Sequence, residues 1–195
     1  MLLPEAFYYR NDVTRIARDL IGKALYTRLD GEITAGLIVE TEAYSWKERG
    51  CHAYDSRMTQ RNAVMFDEGG HAYVYLCYGM YNLFNVVTNR KGKAEAVLIR
   101  ALEPMEGVNI MQDRAGVQHS KRITSGPGKL TRALGIDRTH NGVPLRSRQV
   151  WLADVGYKVG KKEIVASPRI GIDYAGEDAQ LPWRFILKDN EWVSK

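Results

Sequence analysis

The dipeptide Asp30-Gly31 lies between two strand-like runs, and it restrains the architecture more than any other local feature of the chain. A two-residue hairpin turn needs positive φ at both positions. Asp-Gly meets that need, so the pair predicts an antiparallel hairpin. The run before it is Lys23–Arg28, and a longer run starts at Glu32. In Ile33–Val39 the odd positions are Ile33, Ala35, Leu37 and Val39, one apolar face. The even face carries Thr34, Gly36, Ile38, Glu40 and Glu42. Alternation therefore puts both glutamates on one side, at the expected end of the strand.

A second hairpin reads from Ala72–Cys77, a turn at Tyr78-Gly79-Met80, and Tyr81–Thr88. Ala94–Ala101 is a short apolar strand, and Val150–Ala153, Ile164–Ala166, Arg169–Ile172 and Arg184–Leu187 read as further short strands. Helices are few. Asn11 or Asp12 caps one that runs to Leu20 and stops at Gly22. Met105–Gln112 reads as a second, Gly126–Leu134 as a third stopped by Gly135, and a short turn of helix is expected near Asn62–Phe66 in a loop spanning 45–70. Hairpins outnumber crossovers, so a single α+β (mixed α/β) domain on an antiparallel sheet is expected over residues 1–195.

At 195 residues the chain buries roughly 70% of its unfolded surface and needs no disulfide or metal staple. The two cysteines, Cys51 and Cys77, make no framework, which predicts a reducing, cytoplasmic setting. No apolar run approaches the roughly 18 residues of a membrane span. The start, Met1–Phe7, lacks the basic region and apolar stretch of a secretory signal. The net charge is +5, but residues 110–148 alone carry eight basic side chains (Arg114, Lys121, Arg122, Lys129, Arg132, Arg138, Arg146, Arg148) against Asp113 and Asp137. That block favours a polyanionic partner over simple solubility.

Candidate chemistry starts with Val39-Glu-Thr-Glu-Ala-Tyr44. Two carboxylates two apart are ordinarily a polar strand end. The alternative is a carboxylate in a partly dry pocket that holds and deprotonates a water. Six of the eleven tyrosines fall between 44 and 81. Tyr73 and Tyr75 share a strand face, as half-buried packing or as a wall. Tyr78 and Tyr81 flank a tight tip with little core to join, which suits a wedge. His52 could be a stacking or hydrogen-bonding ring, although a lone loop histidine is more often structural or solvated; Asn85, inside a strand-like run, and Arg100, after Val-Leu-Ile, could each simply satisfy buried backbone groups. Ser125-Gly-Pro-Gly-Lys-Leu130 opens a helix whose free N–H groups attract an anion. Its spacing is not that of a Walker A loop. No Cys-x-x-Cys, His-x-Glu, His-Glu-x-x-His, zinc-deaminase or Gly-x-Ser-x-Gly pattern occurs, so no metal is expected.

Together these segments resemble the alkyladenine (3-methyladenine) DNA glycosylase family. The likeness rests on Ile38-Val-Glu-Thr-Glu-Ala-Tyr44, His52, Arg61-Asn62 with Met65-Phe66, Tyr73-Val-Tyr-Leu-Cys-Tyr-Gly-Met-Tyr81, Asn85 and Leu98-Ile-Arg-Ala-Leu-Glu-Pro104. Ser125–Leu130, Arg169–Ile172, Ala175–Glu177, Pro182–Phe185 and Trp192–Ser194 continue it in order along nearly the whole chain. Trp46 and Cys51 depart from the family pattern.

The resemblance implies a fold like the C-terminal domain of formyltransferases, with a protruding β-hairpin. It also implies flipping of damaged purines (3-methyladenine, 7-methylguanine, hypoxanthine, ethenoadenine) from duplex DNA and hydrolysis of the N-glycosidic bond. No cofactor, metal or covalent lysine is implied. Glu42 would activate the water and Arg100 would help position it. Tyr44, His52 and Tyr75 would sandwich the base, Asn85 would gate entry, and Tyr78 would fill the gap left in the helix. Gly128 and Lys129 would contact phosphates. The expected partner is duplex DNA, with no membrane, and the chain is expected to act as a monomer in the nucleoid, or in the nucleus of a eukaryote. The rival readings are a non-catalytic damaged-DNA-binding module, an RNA-acting transferase on the related fold, and a glycosylase-lyase using a lysine.

Overall fold

The computed structural model describes residues 1–117 and 122–194; Lys121 of the basic block lies outside them. Eight strands form one open antiparallel sheet in the order β3-β4-β5-β2-β1-β6, with β8 pairing β2 and β7 pairing β8. They are β1 (Ala24–Leu29), β2 (Glu32–Ser45), β3 (Ala72–Cys77), β4 (Tyr81–Thr88), β5 (Glu95–Glu106), β6 (Val150–Ala153), β7 (Ile164–Ser167) and β8 (Arg184–Leu187). The β1–β2 turn has φ of 53° at Asp30 and 84° at Gly31, with Leu29 facing Glu32, as the dipeptide predicts. The β3–β4 hairpin has the same left-handed pair at Tyr78 (φ 50°) and Gly79 (φ 69°).

Helices α1 (Glu5–Tyr8), α2 (Val13–Leu20), α3 (Val108–Ala115) and α4 (Pro127–Leu134) complete the fold. Asp12 is the cap of α2. Its carboxylate accepts the Thr14 and Arg15 amides at 3.0 Å each, a contribution of about 1 kcal/mol. The buried face of α2 is Val13, Ile16, Ala17 and Leu20, and Thr41 Oγ1 fastens the helix to β2 through the Ala17 carbonyl at 2.9 Å. Ile38, Val97, Ile99, Leu102, Phe84 and Val86 pack with this helix side, together with Leu130 and Leu134 of α4. The opposite sheet face carries a second cluster, Met65, Phe66, Tyr73, Val87 and Ala96, covered by the loop after β2. Trp46 and Cys51 pack there, and burial pushes the Cys51 thiol up to about 12.

Three sequence expectations change. β2 continues to Ser45, so Glu40 and Glu42 lie inside it and are fully buried. β5 runs to Glu106, and Met105 belongs to it rather than to a helix; pairing of Pro104 and Glu106 with Gly36 and Ala35 outweighs the local pattern, and helix α3 starts only after Gly107. Arg169–Ile172 is irregular rather than a strand, because its groups bond to the Ala43 carbonyl and the Glu42 carboxylate of β2. Among the described residues, no helix is long and apolar enough to cross a membrane.

Candidate active site

The period of two sorts the strand residues between the helix side and an open side. Tyr73 and Tyr75 of β3, Leu83 and Asn85 of β4, Ala96, Leu98 and Arg100 of β5, and Tyr44 of β2 all line one cavity of about 660 Å³. That volume is typical of a small-molecule pocket. Register aligns them: Tyr73 faces Asn85, Asn85 faces Leu98, and Leu98 faces Glu42, so one row crosses four strands. Tyr44 faces Ala96 in the next row.

Glu42 has no exposed surface and lies behind the residues that line the cavity. Its Oε1 accepts the Ile170 amide at 2.8 Å; its Oε2 accepts the Tyr44 hydroxyl at 2.8 Å and Arg100 Nη1 at 3.3 Å. Burial, and then the Glu42 carboxylate, push the Tyr44 phenol well above its ordinary value, so it stays a donor. Arg100 reaches both glutamates because the β2–β5 register shifts around Glu40, which faces Ala101 while the next residue faces Ile99. Such a bulge re-aims a side chain. Glu40 Oε1 accepts Arg100 Nε at 3.0 Å and Arg184 Nε at 2.6 Å, and Glu40 Oε2 accepts the Ser194 amide at 2.7 Å. Burial opposes the charge on Arg100, but Glu42 and Glu40 outweigh it and raise its pKa.

His52 and Tyr75 meet edge to face with centroids 4.6 Å apart and form one continuous wall; Tyr44 reaches the cavity from β2. His52 Nδ1 lies 3.0 Å from the Tyr73 hydroxyl. The crowding of the walls, and then the Arg61 cation, hold His52 below the ordinary histidine value. Asn85 is buried, with its amide nitrogen donating to the Tyr73 carbonyl at 3.1 Å. No group of three or more His, Cys, Asp or Glu suited to a metal occurs among the described residues.

The hairpin tip projects at the mouth, with Tyr78 84% and Met80 70% exposed. A bulky residue in the left-handed region is rare outside functional sites. Gly126 to Lys129 open α4 beside it, and a Cβ at Gly128 would meet the Tyr81 ring at 2.7 Å, so glycine allows the close approach. The basic block is dispersed. Arg146 pairs with Glu5 at 2.8 Å and Arg132 donates to the Arg114 carbonyl at 3.1 Å. Among its described members, Lys129 alone lines the cavity.

Sequence reasoning passed over the supports of Tyr44. Arg169, its side chain fully buried, forms a two-pronged pair with Glu48 at 2.8 and 2.7 Å. Its guanidinium carbon lies 4.7 Å from the Tyr44 ring centre and 5.2 Å from that of Trp183. The only local signal was an arginine within a familiar motif. Glu40, Arg184, Ser194 and Tyr174, the last lining the cavity, were likewise not singled out as site residues.

The chain matches the family model described as methylpurine-DNA glycosylase over residues 6–191. It is 48% identical over 195 residues to a protein of Carboxydothermus hydrogenoformans, covering all of both chains. It is 50% identical to one of Methanocella arvoryzae, covering 100% of this chain and 96% of the relative, and 46% identical to one of Chlamydia felis, covering 95% and 96%. Each is named "Putative 3-methyladenine DNA glycosylase". A match of that extent falls on a sheet face where a buried carboxylate backs an aromatic cavity, and the chain belongs to the methylpurine-DNA glycosylase family.

Proposed function

We propose that this protein excises alkylated purines, 3-methyladenine and 7-methylguanine first, from duplex DNA by hydrolysing the N-glycosidic bond, with hypoxanthine and ethenoadenine as further substrates. The observation that carries the reading is the joining of Glu42 to Tyr44 and Arg100, two residues that line an aromatic cavity with ample room for a purine. A base stacked in a duplex is out of reach, so the nucleotide must leave the helix, at a cost of a few kcal/mol. Stacking in the cavity returns roughly 1–3 kcal/mol, and Tyr78 at the exposed tip fills the gap. An alkylated purine is cationic. Tyr44 and Tyr75 attract it by about 0.5–2 kcal/mol, provided that His52 is neutral.

A cationic base is already a good leaving group. What hydrolysis then needs is a water aimed at the sugar C1′ and an anion beside the oxocarbenium-like transition state. Glu42 supplies both once Ile170, which lines the cavity and donates the hydrogen bond to Oε1, moves aside and lets the water reach the buried carboxylate, which Arg100 orients. The proton lost by the water passes to Glu42, and the C1′–N bond electrons leave with the base. Neutral lesions require protonation of the leaving base as well. Asn85, in the row between Tyr73 and Leu98, selects which purine edges fit. Gly128 and Lys129 hold phosphates at the start of α4.

The test is base release from duplexes each bearing one defined lesion, with wild type and Glu42→Gln side by side. Release of alkylated bases is expected from the wild type, reduced roughly 10²- to 10⁴-fold in the variant. Selective binding without any release leaves a non-catalytic damaged-DNA-binding module. Trapping of a covalent DNA adduct by borohydride identifies a lysine lyase instead.

A further inference from the structure

We infer that Glu48 is a specificity-determining residue: by pairing with Arg169 behind Tyr44, it keeps the base platform free of uncompensated positive charge and so admits cationic purines. The inference rests on the reading of the cavity as a base site. Arg169 has no exposed side-chain surface and does not line the cavity, whereas Tyr44 does. The Tyr44 ring therefore separates a guanidinium from whatever stacks on its open face, and the guanidinium carbon is only 4.7 Å from the ring centre.

A lone cation there would oppose the attraction that an aromatic face exerts on a cationic base. Glu48 removes the conflict. Its two oxygens accept both Arg169 Nη atoms at 2.8 and 2.7 Å, and it also takes the Gly50 amide at 2.7 Å. Elsewhere in the buried site Glu40 and Glu42 balance Arg100 and Arg184. Glu48 thus completes a neutral set of three carboxylates and three guanidiniums, and its loss leaves one unbalanced cation. Arg61, whose guanidinium carbon lies 5.2 Å from the Tyr75 ring centre, also lines the cavity, but its charge is the same in the wild type and in the Glu48 and Arg169 variants, so it cancels from the change in ratio between them.

A base stacked about 3.5 Å above Tyr44 sits about 8 Å from the Arg169 charge, where an unbalanced unit charge costs about 2 kcal/mol at an effective dielectric near 20, or about 30-fold in affinity. The penalty falls on cationic bases alone. The experiment measures equilibrium binding to two duplexes. One carries 7-methylguanine on a 2′-fluorinated sugar, which resists cleavage; the other carries the neutral 7-deaza isostere of the same shape.

The wild type is expected to favour the cationic lesion or bind both equally. Glu48→Gln is expected to shift the cationic-to-neutral affinity ratio about 30-fold toward the neutral base. Arg169→Met, which leaves Glu48 unpaired, is expected to shift the ratio the opposite way, and Glu48→Asp to restore it. A structural role alone would lower both affinities together and leave the ratio unchanged, and that result overturns the inference. A wild type that binds the neutral isostere tenfold more tightly overturns it whatever the variants do. A wild type that prefers neither lesion duplex over intact DNA refutes the proposed function instead.

Discussion

Replacing Tyr78 with glycine separates DNA capture from folding, and the geometry fixes the sign of both effects. The side chain is 84% exposed and sits at φ 50°. It contributes little to packing, and a non-glycine residue in that region costs about 1 kcal/mol. Glycine relieves the cost but gains freedom in the unfolded chain, which offsets part of the relief. In a chain of this size 1 kcal/mol moves the melting temperature roughly 2–4 °C, so the variant should melt between unchanged and about 3 °C higher. Affinity should move the other way. Loss of one ring stacked in the vacated gap removes roughly 1–3 kcal/mol, about 5- to 150-fold, from binding to lesion duplex, with little change on intact duplex. Thermal melts and fluorescence anisotropy on matched duplexes supply both numbers. An unchanged ratio of lesion to intact affinity refutes the wedge. A melting temperature lowered by more than about 3 °C shows that the ring is held by the fold and refutes the strain argument.

Lys129→Ala should weaken binding alike across sequences and lower the slope of log affinity against log salt by about 1; an unchanged slope removes its phosphate contact. His52 is held low, so below the ordinary histidine range the native state binds fewer protons than the unfolded chain. Its contribution to stability is present above that range and lost on acidification, so melting between about pH 5 and 8 should fall less steeply for His52→Gln. Capture of the cationic lesion should weaken over the same range, because an imidazolium repels it. Gly128→Ala should impair lesion binding by displacing the Tyr81 ring, which a Cβ would meet at 2.7 Å; unaltered binding shows that the hairpin base yields freely.

Much of the sheet was legible because its signals are local. The left-handed Asp30-Gly31 turn, the capping carboxylate of Asp12 and the glycine stop after Leu134 depend on neighbours a few positions away. Two segments misled for the complementary reason. Pro104–Glu106 is strand because β2 offers partners, and Arg169–Ile172 is irregular because its amide and guanidinium groups are taken by Glu42, Glu48 and the Ala43 carbonyl.

The alternation of side chains alone determined that Tyr73, Tyr75, Leu83, Asn85, Leu98 and Arg100 would share sheet faces, since a pleat of period two is a property of each strand taken singly. Only the tertiary structure decided what surrounds the carboxylates. Arg100 meets Glu40 and Glu42 through a register shift, Arg184 and Ser194 arrive from 144 and 154 positions away, and Arg169 slides beneath Tyr44 with Glu48 as its counter-charge. Charge balance in a buried site is a sum over groups brought together by chain closure, and no short stretch of sequence contains that sum.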